Sequence, residues 1–325
     1  MGQITRRQFI LGASTLLAAP LARPQGIKDA RIGWLQTNPR RTAQFPDLFS
    51  AAMAKAGWVE GRNLTIDWRF ADGNLDQLPR LAAGLVDSRS QVIVAALNHE
   101  AAAARKVTRS TPIVVVGASD PVKVGFAQSL ARPGGNVTGV MAGDPSFSAK
   151  SAEIMAQILP GMRRFASMYS DGPGYDAYVD AIERANRAVG IETFRFPITR
   201  PEEVRVALES IKQLRVGALR VALGGPVGTK LDEILSFVSE NRIPSIFSNS
   251  QAVERGGFVS YIPRYEELTG RAAAIVDRIL KGANPAEIPF EYVTRYELLI
   301  NLKTAKHLGI TVPQPVLLRA DRVIE

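Results

Sequence analysis

The chain has 325 residues, 46% hydrophobic and 22% charged, with 27 Gly, 20 Pro, no Cys and two His. That composition excludes a disordered chain, a collagen and a disulfide-stapled mini-protein. It also leaves no material for a thiolate nucleophile, a Cys-ligated zinc, an iron–sulfur cluster, a cysteine-borne lipid anchor or a multi-histidine metal site. The net charge of +9 is scattered, with no run of five like charges, so it reads as a solvated surface and not as a nucleic-acid face.

Thr5-Arg6-Arg7-Gln8-Phe9 places a twin arginine ahead of an apolar stretch from Phe9 to Ala22. A charged start, a short apolar run and small residues near its end make residues 1–26 a predicted export signal of the twin-arginine type, cut between Ala22 and Gln25. Fourteen residues broken by Pro20 are too few to span a bilayer about 30 Å thick. The expected location is therefore periplasmic, without stable membrane insertion.

From Ile27 onward, short apolar runs alternate with amphipathic stretches. Candidate strands are Arg31–Leu35, Leu64–Phe70, Gln91–Ala95, Ile113–Val116 and Asn136–Met141, then Arg164–Tyr169, Glu192–Phe196, Ala218–Leu223, Ser245–Phe247 and Phe258–Tyr261. Leu231, Ile234, Leu235 and Val238 fall on one helical face, and Leu268, Ala272, Ile275, Val276 and Ile279 do so on a longer helix that stops at Gly282 and Pro285. Parallel strands need crossovers and helices supply them, so the pattern predicts an α/β fold with doubly wound parallel sheets.

Two sets of five strands suggest two lobes. Turn-rich junctions at Gly143-Asp144-Pro145, Arg255-Gly256-Gly257 and Ala283-Asn284-Pro285 suggest three crossover strands between them. The first lobe is then expected over 27–143 plus 255–288, and the second over 144–254 plus 289–325. A hinged cleft would lie between the two.

Open parallel sheets bind ligands beyond the carboxyl ends of their strands, where loops and helix N-termini converge. The strand ends nominate Trp34, Gln36, Asn98, His99, Ser119 and Asp120 in the first lobe. In the second they nominate Tyr169, Asp171, Gly224, Gly225, Ser248 and Asn249. Aromatic walls, small hydroxyls, amides and few charges suit a small-molecule pocket. Each of these types is also at home in a cap or a turn.

Catalytic patterns are weak. Ser119, His99 and Asp120 can be drawn as a triad, but such types meet by chance in any set of loops. Gly228-Thr229-Lys230 has the wrong order for a phosphate loop, no GxGxxG occurs, and Arg132-Pro133-Gly134-Gly135 precedes a strand and not a helix. Glu202-Glu203 and Glu266-Glu267 sit where helix dipoles favour acids. No enzyme chemistry, metal or cofactor is expected.

Gly57-Trp58-Val59-Glu60-Gly61-Arg62-Asn63-Leu64, Ser119-Asp120-Pro121-Val122 and the stretch from Leu130 through Arg132-Pro133-Gly134-Gly135-Asn136 to Gly139 resemble an ABC-transporter substrate-binding family. So do Asp277-Arg278-Ile279-Leu280-Lys281-Gly282-Ala283, Asn301 through Gly309, and Val312-Pro313 continuing to Ala320–Glu325. The resemblance is to the branch related to tryptophan- and tyrosine-binding uptake components. Tyr169-Ser170-Asp171-Gly172-Pro173-Gly174 and Gly224-Gly225-Pro226 depart from the usual pattern of that branch.

The resemblance implies a type I periplasmic-binding fold, with a ligand held in the interlobe cleft by hinge closure. It implies delivery of an amino-acid-like molecule or a small organic or aromatic acid to a membrane permease served by ATPase subunits. A monomer without nucleic-acid partners is expected. A sensory protein of the same fold signalling to a receptor is the alternative. A transcription regulator would need a helix-turn-helix where the export signal stands, and a secreted hydrolase would need a nucleophile–base pair.

Overall fold

A computed structural model describes residues 29–143 and 145–325. The proposed export signal and Asp144 lie outside the described residues.

The chain begins with β1 (Ala30–Gln36), α1 (Phe45–Lys55), β2 (Leu64–Phe70), α2 (Leu78–Asp87), β3 (Val92–Ala95), α3 (Asn98–Val107), β4 (Ile113–Ala118) and β5 (Val137–Met141). There follow α4 (Pro145–Ile158), β6 (Arg164–Ser170), α5 (Tyr175–Ala188), β7 (Glu192–Ile198), α6 (Glu203–Gln213) and β8 (Ala218–Val221). Next come α7 (Gly225–Gly228), α8 (Leu231–Glu240), β9 (Ser245–Phe247), α9 (Ser250–Glu254) and β10 (Val259–Pro263). The chain ends with α10 (Tyr265–Leu280), β11 (Glu291–Tyr292), β12 (Tyr296–Asn301), α11 (Leu302–Leu308), α12 (Gln314–Leu317) and β13 (Arg322–Ile324).

The strands form two sheets, ordered β11-β5-β4-β3-β1-β2 and β13-β12-β10-β9-β8-β6-β7. The pairings are parallel except β10 with β12. Each sheet is covered on both faces, which is why central strands such as β3 and β4 are apolar throughout and not alternating. In β4, Val114 and Val116 face α1 and α10, while Ile113 and Val115 face α2 and α3. In the second sheet, Leu219 and Val221 pack toward α6 and α8, and Ala218 packs toward α4 and α5. Burying each such side chain contributes about 1.5–3 kcal/mol, enough for the patterning to fix which face is which.

Every candidate strand falls on an observed one; the misses are β11, β12 and β13. β12 follows an extended link and not a helix, and it runs antiparallel, so strand–helix alternation carries no signal for it.

The expected lobe boundaries need correction at two of the three crossings. β10 pairs with β9 and β12, so Val259–Pro263 belongs to the second lobe. Arg255-Gly256-Gly257 is a turn inside that lobe, and the crossing lies at Pro263–Tyr265, just before α10 packs on the first sheet. The third crossing lies between β11, which pairs with β5, and β12, not at residue 288. These two glycine-bearing turns marked helix ends; the two corrected crossings are non-helical links with ordinary side chains.

Glu267, in the first turn of α10, ties these two crossings together. Its Oε1 accepts from Thr294 N and Oγ1 (3.1 Å each) and from Arg271 Nε at 3.0 Å, and its Oε2 accepts from Arg295 N at 3.0 Å. Burial pushes the carboxyl pKa up, but these hydrogen bonds together outweigh it and hold the group down from 4.5 to about 2. The residue therefore does more than offset a helix dipole.

Candidate functional site

In each sheet the chain order reverses between two neighbouring strands, β1 and β3 in the first and β6 and β8 in the second. Loops leave such a switch point in opposite directions and open a crevice. The two crevices face each other, and between them lies a cavity of about 140 Å³. Gln36, Ala96, Leu97, Gly117 and Ser119 line it from the first lobe, and Ala222, Gly224, Ser248 and Asn249 from the second. Aromatic rings close the sides: Phe45 and Tyr265 in edge contact (centroids 4.9 Å apart), Phe147 stacked on Tyr261 (5.2 Å), and Tyr175 and Tyr178 from α5.

Five nominated residues meet at this cavity: Gln36, Ser119, Gly224, Ser248 and Asn249. Their polar atoms are partly committed. Ser248 Oγ accepts from Leu223 N at 2.8 Å, and Asn249 Oδ1 caps α9 by accepting from Gln251 N at 2.7 Å.

The other seven do not line the cavity. Trp34 is fully buried between Phe49 and Trp68, with ring centroids at 5.1 and 5.5 Å. Its Nε1 donates to Gln36 Oε1 at 2.9 Å, so it aims a lining residue without touching the space itself. Tyr169 is a second such support, stacked behind Tyr175 at 6.4 Å; burial, its strongest influence, raises its pKa. Asp120 takes a left-handed φ of 40° and accepts from Lys123 N, shaping a turn. Gly225 opens the short helix α7, beneath the carbonyl of Gly224 that accepts from Ser170 Oγ.

Asn98, His99 and Asp171 form a latch. Asn98 Nδ2 donates to Ser119 O at 2.6 Å in its own lobe and to Pro173 O at 2.8 Å in the other. His99 Nε2 lies 2.6 Å from Asp171 O. A carbonyl only accepts, so Nε2 carries the proton. Asn38 Nδ2 reaches Leu223 O at 3.3 Å, and Tyr265 OH donates to Ser248 O at 2.8 Å. The lips of the cleft are in contact.

Sequence reasoning missed the aromatic box, Glu100 and Arg220. Glu100 is buried, with Oε1 accepting from Thr37 N and Oγ1 (2.6 Å each) and Oε2 from Leu97 N at 3.1 Å. Tyr175 is pushed up to about 12, by burial first and then by the Glu100 charge, with Arg220 opposing. Tyr178 and Tyr265 are raised as well, burial again the largest cause. All three hydroxyls therefore stay protonated at neutral pH. Arg220 had a sequence signal: it interrupts the apolar run Ala218-Leu219-Arg220-Val221-Ala222-Leu223, where a solvated charge has no place.

Among the described residues no group of three or more His, Cys, Asp or Glu is placed to hold a metal, and no helix is long and apolar enough to cross a membrane.

The chain is similar to the tyrosine-binding protein of Clostridioides difficile, 26% identical over 263 residues, 81% of this chain and 75% of that one. Among solved structures, a domain from Streptococcus pneumoniae in complex with L-Trp superposes with a TM-score of 0.85 at 23% identity, covering 91% of this chain and all of that one (100%). A ligand-free, open substrate-binding protein from Clostridium difficile superposes at 0.63 with 23% identity, over 91% of this chain and 99% of that one. Such likenesses carry the type I periplasmic-binding fold. The family model described as ABC transporter substrate binding protein matches residues 46–324, and the chain belongs to that family.

Proposed function

We propose that this chain is the extracytoplasmic solute-capturing subunit of an ABC uptake transporter. It takes a small molecule between its lobes and presents the closed form to a permease, with ATP hydrolysis on other subunits. The observation that carries the reading is the cavity at the facing switch points of two sheets, walled by residues of both lobes. A ligand touching both walls binds the closed arrangement better than the open one, and that difference in affinity drives closure. No bond is made or broken.

Gln36, Ser119, Gly224, Ser248 and Asn249 are the nominated residues that would meet the ligand, with Trp34 and Tyr169 bracing the wall behind them. The twin arginine at Arg6-Arg7 supports export to the periplasm. Relatives that bind tyrosine or carry L-Trp support a ligand with a ring.

Small-angle scattering with and without ligand tests the reading. The radius of gyration falls when a tight ligand is added; an unchanged radius with a ligand bound at saturation rules out capture by closure.

A further inference from the structure

Arg220 projects from β8 into the cavity and is 8% exposed. Among the described residues its guanidinium makes no ion pair and no hydrogen bond, and it sits beside Tyr175 and Tyr178. Five N–H donors on a mostly buried, permanent cation thus face the cavity without a protein acceptor, a costly arrangement unless something else meets them. Two further polar atoms at the cavity are buried without partners, Gln44 Oε1 and Ser148 Oγ.

The acid at the cavity does not supply the missing partner. Glu100 already serves Thr37 and Leu97 with both oxygens and fixes the loop after β1. The surplus charge facing the ligand is therefore positive. Around it stand rings from both lobes, and the space is close to the roughly 150 Å³ of an engineered apolar cavity that accepts benzene.

We propose that Arg220 anchors the carboxylate of a single-ring aromatic acid lacking an α-ammonium group, with the ring between Phe45, Phe147, Tyr175, Tyr261 and Tyr265. This rests on the capture reading and narrows it. A carboxylate matches the guanidinium fork with two parallel N–H···O bonds. An ammonium beside that carboxylate would find no uncommitted acid to offset its charge; the unpartnered acceptor Gln44 Oε1 is neutral and could accept only a single hydrogen bond from it.

Calorimetric titration of the purified protein with matched compounds tests this. The probes are 3-phenylpropanoate, 3-(4-hydroxyphenyl)propanoate, their amino-acid counterparts L-phenylalanine and L-tyrosine, and the neutral 3-phenylpropanamide. The two propanoates are expected to bind about 30-fold or more tightly than the amide and the amino acids. Arg220→Met abolishes that preference, and Arg220→Lys keeps part of it.

Without ligand, Arg220→Met melts at or above the parent temperature, because an unpaired buried cation is gone; a role in folding would lower the melt instead. Amino acids binding as tightly as the propanoates, an Arg220→Met variant with unchanged affinities, or propanoates silent at millimolar concentration each overturn the assignment. Scattering separates the two readings. Compaction with an amino acid alone overturns the acid specificity and keeps capture, whereas no compaction with any bound probe removes both.

Discussion

His99 Nε2 meets the carbonyl oxygen of Asp171 at 2.6 Å across the mouth of the cleft, one lobe donating to the backbone of the other. The next residue back, Asn98, grips Pro173 in the same loop while also holding both backbone groups of Ser119. The bonds to Asp171 and Pro173 exist only when the lobes meet. They therefore act on the open–closed equilibrium and not on the stability of either lobe. His99→Ala removes one solvent-accessible hydrogen bond of about 0.5–1.5 kcal/mol, so ligand affinity should fall about 2- to 10-fold with the melting temperature of the unliganded protein nearly unchanged. Titration calorimetry beside a thermal melt checks this; a large loss of melting temperature would make His99 a structural residue.

Glu267 should give the hinge a pH signature. Its pKa is depressed in the folded chain, from 4.5 to about 2. Its contribution is therefore fully present above about pH 4.5 and is lost as the pH falls toward 2. Glu267→Gln should cost about 1–3 kcal/mol at neutral pH, since it strips charge from several buried hydrogen bonds. The gap between parent and variant should narrow steadily below pH 4.5. Denaturant unfolding across that range measures it, and a gap independent of pH would show that the carboxylate charge is not what staples the two crossings.

The sheets were legible because burial on both faces writes apolar runs into central strands such as Val92–Ala95 and Ile113–Ala118, while β-branched and aromatic residues mark the mixed strands at the edges, Leu64–Phe70 and Glu192–Ile198. The site was legible only as far as strand ends predict it. Trp34 ends a strand, yet it turns into the core beside Phe49, and no feature of Arg31–Leu35 distinguishes the two directions. Asn98 and His99 occupy the predicted rim but meet the opposite lobe's backbone, a partner 72 to 75 residues away in the chain. Tyr175 comes from a helix, which the rule about strand ends does not address, whereas Tyr261 ends the candidate strand Phe258–Tyr261 and was not nominated. Arg220 alone was readable, as a charge inside a core strand.

Trp34 separates support from contact. Trp34→Phe removes the indole N–H that holds Gln36 and leaves a void beside Phe49. Stability should drop by about 1–3 kcal/mol. Affinity should fall less than about tenfold, because Gln36 is loosened and not lost. Chemical denaturation and calorimetry on the same preparation distinguish the cases. An intact fold with binding abolished would move Trp34 into the ligand wall.

Gly174 offers the sharpest test of closure. Its φ is +82°, a left-handed conformation in which a side chain is strained by about 1–2 kcal/mol in either arrangement of the lobes. The second constraint belongs to the closed form alone: a Cβ there would lie 2.5 Å from the carbonyl oxygen of Ser119 and 2.7 Å from Asn98 Nδ2, both in the opposite lobe. Ser119 O is backbone held by Asn98 and has little room to retreat. Opening the cleft relieves this clash, so Gly174→Ala should fold, melt only slightly lower, and scatter as a larger particle. Ligand should bind at least about tenfold more weakly, the penalty of closing against the new methyl group being some 1.4 kcal/mol or more. Gly190→Ala, also at positive φ (+74°) but with only Arg163 Nη1 near its Cβ position at 3.8 Å, supplies the control for backbone strain alone. Equal losses of affinity in the two variants would mean that strain, and not contact between the lobes, governs binding.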